Sequence, residues 1–542
     1  YYALQRKSRG NLGYGKRQQS TLEGTLTFQH KFGELLDMNL MAGMGRYLDS
    51  GDGSDISYEN ANDHIQGSSV GMADGPFYPT SYKYKNEKRS QFVRGSFDLF
   101  GRYVVSASLR RDGTDKFFPS KKYALFPSVS LAWKMNEESF IKNISWINML
   151  KLRASYGETG SDNLGTTLYG IVTTTREDVQ FNNNSVTYIP YILSGANYED
   201  VTWQKTVMKN IGLDFSIFRD RIWGSVDVFR NDVTHLLGTA PTELLGMHGT
   251  RPINGGHYKR TGIDVSLNSL NLQTHDFKWT SQITMSHYNA VWIERMPNYD
   301  YQKYQKRKNE PMNAFYYYKT TGIIDMDKSN MPESQRSLGP AACMPGYPIV
   351  EDKNGDGIID VNDSYMDNML PKLYFGFGNT FTWKNFDLDI FMYGQLGVKK
   401  WNDAYSYSAD AGNLSRGVDA HNVGIYSYNI WNTQTNTNGY FPGIAISKSV
   451  ALPENLGFDY TRENASYIRV RNITLGYNLG PKELSVFKGY IRGIRVFVDF
   501  QNPLTFTKYK GYDPEINTSS SNLTGGQYPQ MRVYSIGAKL TF

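Results

Sequence analysis

Along this chain, hydrophobic and polar positions alternate one for one over stretches of about ten residues, the period of a β-strand whose two faces meet different media. The final stretch, YSIGAKLTF, puts Tyr534, Ile536, Ala538, Leu540 and Phe542 on one face. Val533, Ser535, Gly537, Lys539 and Thr541 fall on the other. The cleanest case sets Thr261, Ile263, Val265 and Leu267 against Gly262, Asp264, Ser266 and Asn268. Near the start, Leu36, Met38, Leu40, Ala42 and Met44 alternate with Asp37, Asn39 and Gly43. An apolar face opposite a small or polar one fits a wall between lipid and a wet lumen.

The same pattern predicts strands at 21–30, 35–47, 91–100, 103–111, 123–135, 150–159, 205–215, 222–230, 259–270, 277–288, 373–383, 386–394, 466–478, 494–500 and 534–542. Turns within pairs are short, as in KFGE, FRDR and KN. The links between pairs, at 49–87, 160–203, 231–258, 288–371 and 395–464, are long. Short turns on one side and long loops on the other is the asymmetry of outer-membrane barrels, whereas a soluble sandwich or propeller spaces its strands more evenly. The fold class expected is therefore all-β, a transmembrane antiparallel β-barrel of about 15 strands with long extracellular loops. Residues 1–542 read as one domain, opening in the loop-like run YYALQRKSRGNLGYGKRQQS.

Composition sharpens this picture. Hydrophobic residues make up 39% of the 542, and mean hydropathy is -0.52. No run of about 18 apolar residues offers a transmembrane helix, a test that barrel strands escape. Aromatics reach 14%, with 40 Tyr, which suits interfacial girdles and ligand platforms alike. The net charge of +6 is dispersed, without the basic stripe that binds nucleic acid. A single cysteine, Cys343, excludes an internal disulfide framework or thiolate metal site.

The strongest local motif runs from Asp352 to Asp363, DKNGDGIIDVND. Asp352, Asn354, Asp356, Ile358 (through its carbonyl), Asp360 and Asp363 fall at calcium-loop spacing, and Gly357 permits the sharp turn. Asp363 stands where a bidentate Glu is usual. A bound Ca2+ would order the loop without doing catalysis, and a solvated acidic turn is the plainer alternative. No enzyme motif is present: the eight His, among them His30, His235, His257 and His421, lack HExxH spacing, and no phosphate loop or nucleophile elbow appears.

The loop after Gln395 is dense in aromatics mixed with Asn, Asp and Ser. Trp401, Tyr405, Tyr407, Tyr428 and Trp431 are the candidate ligand-binding residues, with Tyr426 and Tyr440 nearby. Flat rings stack on sugar faces and peptide side chains. Packing of the loops against one another is the competing use.

Several segments resemble signatures of the SusC-like TonB-dependent outer-membrane transporters, the SusC/RagA type. They are LRRDGTDKF from Leu109, FPSVSLAW from Phe126, LKLRASYGETGSDNLG from Leu150 and NGGHYKRTGIDVSL from Asn254. LPKLYFGFGNTFTWKNFDLDIFMYGQLG from Leu370, ASYIRVRNITLGYNLG from Ala465 and FVDFQNPLTFTKYKGYDPE from Phe497 complete the set, in order. The resemblance implies a barrel of about 22 strands filled by an N-terminal plug, of which this chain would be the C-terminal part. It also implies a SusD-like surface lipoprotein as lid, possible dimers of such pairs, and energy from TonB–ExbB–ExbD through an N-terminal box. The expected function is import of oligosaccharides, with oligopeptides as alternative cargo. A passive porin and a surface glycan-binding protein are the other classes, and an enzyme is the least supported.

Overall fold

The computed structural model describes residues 9–59, 75–163, 199–241, 250–297, 309–401, 429–443, 452–459, 462–480, 490–511, 513–516 and 529–542, with shorter pieces between 174 and 193, at 303–306 and around 483–486. Fifteen strands form one antiparallel sheet in which each strand pairs with its sequence neighbours. They are β1 (Arg9–Phe32), β2 (Leu36–Glu59), β3 (Phe77–Leu99), β4 (Tyr103–Thr114) and β5 (Tyr123–Lys134). Next come β6 (Ile147–Ser161), β7 (Gln204–Ile217), β8 (Ile222–Pro241), β9 (Thr250–Gln273) and β10 (Phe277–Glu294). The last are β11 (Leu373–Trp383), β12 (Phe386–Leu396), β13 (Tyr467–Leu479), β14 (Gly493–Thr507) and β15 (Val533–Thr541). All fifteen overlap the strands expected from alternation, and β1 and β15 form the two edges of the sheet.

Register carries the alternation across the sheet. Leu40 stands opposite Phe28, Ala154 opposite Ile211, Val228 opposite Ile263, and Ile473 opposite Phe500. One face is thereby apolar and the other polar along the central part of the sheet. The apolar side chains point away from any protein core: Leu26 is 77% exposed and Ile536 is 80% exposed. Such a surface is costly in water, and a hydrocarbon layer covers it at no such cost. The turns follow from local chemistry. Phe100 and Gly101 both adopt positive φ, 55° and 67°, and the Arg102 amide donates to the Leu99 carbonyl, closing a tight turn within the three-residue link between Leu99 and Tyr103.

Three expectations are corrected by the structure. From Arg9 on, the opening run is strand and not loop, Arg9 standing opposite Glu59, while residues 1–8 lie outside the described residues. The link expected at 49–87 is largely strand, since β2 continues to Glu59 and β3 begins at Phe77. The link at 231–258 shrinks likewise, β8 reaching Pro241 and β9 starting at Thr250. These extensions are rich in Gly, Ser, Lys and Asp, so alternation in hydrophobicity is lost once both faces meet water. Ladder hydrogen bonds and cross-strand pairs such as Arg17 with Asp49 at 2.9 Å continue instead.

The long link between β10 and β11 folds on itself. Ala314–Tyr318 pairs with Tyr365–Asn368 and with Gly457–Phe458, while Thr320–Ile323 pairs with Pro348–Val350. Tyr318, Val350, Ile359 and Leu452 form one small core. Ile324, Ala342, Tyr347 and Ile349 form another. Fully buried Gln335 ties them, donating to the Ala342 and Pro348 carbonyls and accepting from the Val350 amide. Cys343 sits half-buried there, its Sγ 3.6 Å from the Gln335 carbonyl oxygen.

Candidate functional site

The polar face of the sheet is a wall of paired charges and hydroxyls. Strand alternation puts Arg153 (β6), Asp214 (β7) and Asp227 (β8) on this face. Arg153 lies 2.7 Å from Asp214 and 3.1 Å from Asp227, and Lys151 reaches Asp214 at 2.9 Å. Lys134 pairs with Asp98 at 2.7 Å, and Ser286 donates to Asp264 at 2.6 Å. Nearer the long-loop end of β9, β10 and β11, Tyr288 and Tyr374 stack at 5.8 Å with an interplanar angle of 2°. The Arg260 guanidinium sits 5.0 Å over the Tyr288 ring. A shallow groove of about 530 Å³ runs along this wall, lined by Ser130, Asn210, Phe229, Arg260, Asp264 and Tyr288 among others. Aromatic faces beside hydroxyls, amides and a guanidinium can hold a polar, flat-sided molecule by stacking and hydrogen bonding.

At the long-loop end of β12–β14, a buried charge cluster locks the segment after β14 against the wall. Arg469, 2% exposed, donates to Asp513 at 2.8 Å, to Thr505 at 2.9 Å, and to Glu515. Glu515 accepts from the Tyr393 and Tyr467 hydroxyls at 2.6 and 2.8 Å. Lys400 donates to the Pro514 carbonyl. Burial pushes the Asp513 carboxyl upward, but the Glu515 and Gln530 amides together with Arg469 outweigh it and hold it below the usual carboxylate range. Burial lowers the Lys400 amine against the opposing pull of Glu515 and Asp513. The participating segments are visible in the sequence, but their pairing across more than forty residues is not.

The acidic turn is ordered by its own amides. Asp352 accepts from the Gly355 and Gly357 amides at 2.7 and 2.9 Å. Asn354 accepts from the Asp356 amide at 3.0 Å, and Asp356 from the Ile358 amide at 2.9 Å. Asp363 is fully buried and accepts from the Lys353 and Asp360 amides at 2.9 and 2.8 Å. Asp360 caps the short helical turn through the Asn362 amide. The oxygen donors suit a hard cation, yet among the described residues no three acidic, His or Cys side chains converge as a metal cage.

Of the aromatic candidates, Tyr405, Tyr407 and Tyr428 lie outside the described residues, as does nearby Tyr426. The backbone of Trp401 belongs to the short strand Lys399–Trp401, paired with Arg462–Asn464. Trp431 is 5% exposed, and its ring leaves no room for a Cβ at Gly346. That position makes it a packing residue of the loop layer, while Tyr440 is exposed. His421 also lies outside the described residues; His257 stands 3.5 Å from Asp232.

Comparison with known proteins accords with this geometry. Residues 1–502 match the family model described as TonB dependent receptor-like, beta-barrel. TonB-dependent receptor P3 of Formosa agariphila is 27% identical over 98% of this chain and 53% of its own length. TonB-dependent receptor SusC of Bacteroides thetaiotaomicron is 27% identical over 85% of this chain and 44% of its own length. The chain thus spans about half the length of these curated relatives. The structure of the RagAB peptide transporter shares the fold, with a TM-score of 0.77 at 21% identity, covering 98% of this chain and 56% of that one. The apolar outer face, the polar wall and the family match together place the sheet in the outer membrane. The chain belongs to the TonB-dependent receptor β-barrel family, and its relatives are of the SusC/RagA type.

Proposed function

We propose that this chain forms wall and surface loops of an active importer that carries oligosaccharides across the outer membrane. The observation that supports this reading most directly is the polar wall, where the Tyr288–Tyr374 stack, Arg260 and neighbouring hydroxyls offer surfaces for a sugar ring. The SusC relative supports the TonB-dependent part of this reading. Oligopeptides are the second cargo, favoured by the fold shared with the RagAB peptide transporter. A SusD-like lipoprotein over the long-loop face and TonB–ExbB–ExbD acting through a plug are the partners this reading requires, with pairs of transporter and lid able to dimerise. Trp401, Tyr405, Tyr407 and Tyr428 are proposed contacts to cargo from the loop side.

For the acidic turn, the proposed role is a structural knot in which Ca2+ is an added brace, held by Asp352, Asn354, Asp356 and the Ile358 carbonyl. The test of cargo is an uptake screen of glycan fragments against peptides in cells with and without the gene, the lid lipoprotein being present. Loss of growth on one class of glycan supports the reading. Loss confined to peptides moves the cargo to peptides, and unchanged growth on every polymer tested sinks the importer.

A further inference from the structure

We infer that the outward face of β5–β8 holds a binding site for a phosphate-bearing acylated lipid in the leaflet on the long-loop side. The site begins with two cations that face each other. Lys209 on β7 stands directly opposite Arg230 on β8, and both are exposed. They share the outward face with Ile211 and Val228, which pair in the same register. Like charges directly opposite one another destabilise a strand pair unless an anion lies between them.

The nearby carboxylates do not supply that anion to Lys209. Glu158 is engaged by Lys205 at 2.6 Å, and Asp232 by Arg230 at 2.8 Å. Among the described residues, no carboxylate lies within ion-pair distance of Lys209. A further cation, Lys259, stands opposite Asp232 on the next strand.

Below these cations lies an apolar groove of about 620 Å³, lined by Val129, Leu131, Ala154, Ile211 and Val228, with Lys209 and Arg230 also on its lining. Ala154 is flanked by Leu131 and Ile211 in register, so a small residue between large ones makes the trough. Depth agrees with this assignment. Counting from the short-turn end of β7 at Ile217, Lys209 lies on the order of 20 Å along the membrane normal for a tilted strand. The apolar band of such a wall is about 25 Å tall, so the cations sit at its long-loop border. An acyl chain fills the trough while its phosphate meets Lys209, whose charge no described carboxylate pairs, beside Arg230, which Asp232 holds. Charge complementarity thus selects an anionic lipid over a neutral one.

The test uses the full-length protein in neutral detergent, mixed with a diphosphorylated acyl glycolipid or its dephosphorylated form, with bound lipid counted by native mass spectrometry. The phosphorylated lipid is expected to survive delipidation and the dephosphorylated one to be lost. The double variant Lys209→Gln/Arg230→Gln is expected to weaken retention about tenfold or more. Ala154→Phe fills the trough and provides a second route to the same loss without removing charge. Excess inorganic phosphate is expected to displace none of the lipid, which separates a lipid site from a free-phosphate site. Equal retention of both lipid forms, or undiminished retention in both variants, overturns the assignment.

Discussion

At the scale of single residues, Arg469 carries the most consequence. Its side chain and that of Asp513 are 3% and 4% exposed, so neither charge is compensated by water. Removing one partner of a buried pair costs about 3–5 kcal/mol because the other is stranded. Arg469→Ala is therefore expected to release the segment around Asp513 and Glu515 while the ladder of β13 persists. Protease cleavage between Tyr509 and Ile516 should rise sharply, with the barrel's heat-modifiable gel shift retained. Unchanged cleavage would show that Tyr393, Tyr467 and Lys400 hold the segment without the guanidinium. The pH response has a fixed sign. The folded Asp513 carboxyl titrates below its ordinary value, so its stabilisation is complete above about pH 4 and disappears as pH falls through the lower folded value. Cleavage at that segment should stay flat from neutrality to about pH 5 and rise only under stronger acid, and a rise centred near neutrality would point to another group.

At the scale of elements, the acidic turn shows how a motif and its setting differ. Asp363 serves several backbone amides from a fully buried position. Asp363→Ala strands those donors, at about 1–3 kcal/mol for each one left unsatisfied. The expected result is faster proteolysis within 331–371 and an unchanged barrel. In the unmodified protein, chelation should leave the segment closed because amides close it, while added calcium should slow cleavage further if the cation brace forms. Identical cleavage rates with chelator and with calcium would remove the brace and leave the knot. Legibility divides along the same line. Each of the fifteen described sheet strands is readable over part of its length, because one face of each, as in Ile263 and Val265 against Asp264, meets lipid. The extensions Arg9–Ser20 and Asp49–Glu59 are not, because water on both faces erases the alternation that reveals a strand. The ligand-type spacing from Asp352 to Asp363 was visible, but its closure by backbone amides is a property of the folded turn. The Arg469 cluster and the Tyr288–Tyr374 stack depend on pairings between strands, which composition and local spacing do not encode.

At the scale of the whole molecule, the readings separate on where the work of transport is done. The fifteen-stranded sheet has two open edges; closed into a barrel of about 22 strands, as the proposed importer requires, it would enclose a lumen wide enough to leak unless filled, so a passive porin and a gated importer differ in what limits flux. In a porin, cargo flux follows its gradient and is indifferent to the energy state of the inner membrane. In the importer, cargo held by loops and wall is released only when a plug is remodelled, and the work for that comes from TonB. Collapsing the inner-membrane proton gradient is therefore expected to stop uptake of a radiolabelled cargo while its binding to whole cells persists. The luminal stack supplies an internal control. Tyr288→Ala removes a flat ring from the wall, and loss of a stacking contact costs on the order of 1 kcal/mol, so uptake at low cargo concentration should fall several-fold and recover at saturation. Uptake that continues after the gradient is collapsed would favour the porin. Binding with no uptake in energised cells would favour a surface receptor, and an unaltered concentration dependence in Tyr288→Ala would take the cargo path away from this part of the wall.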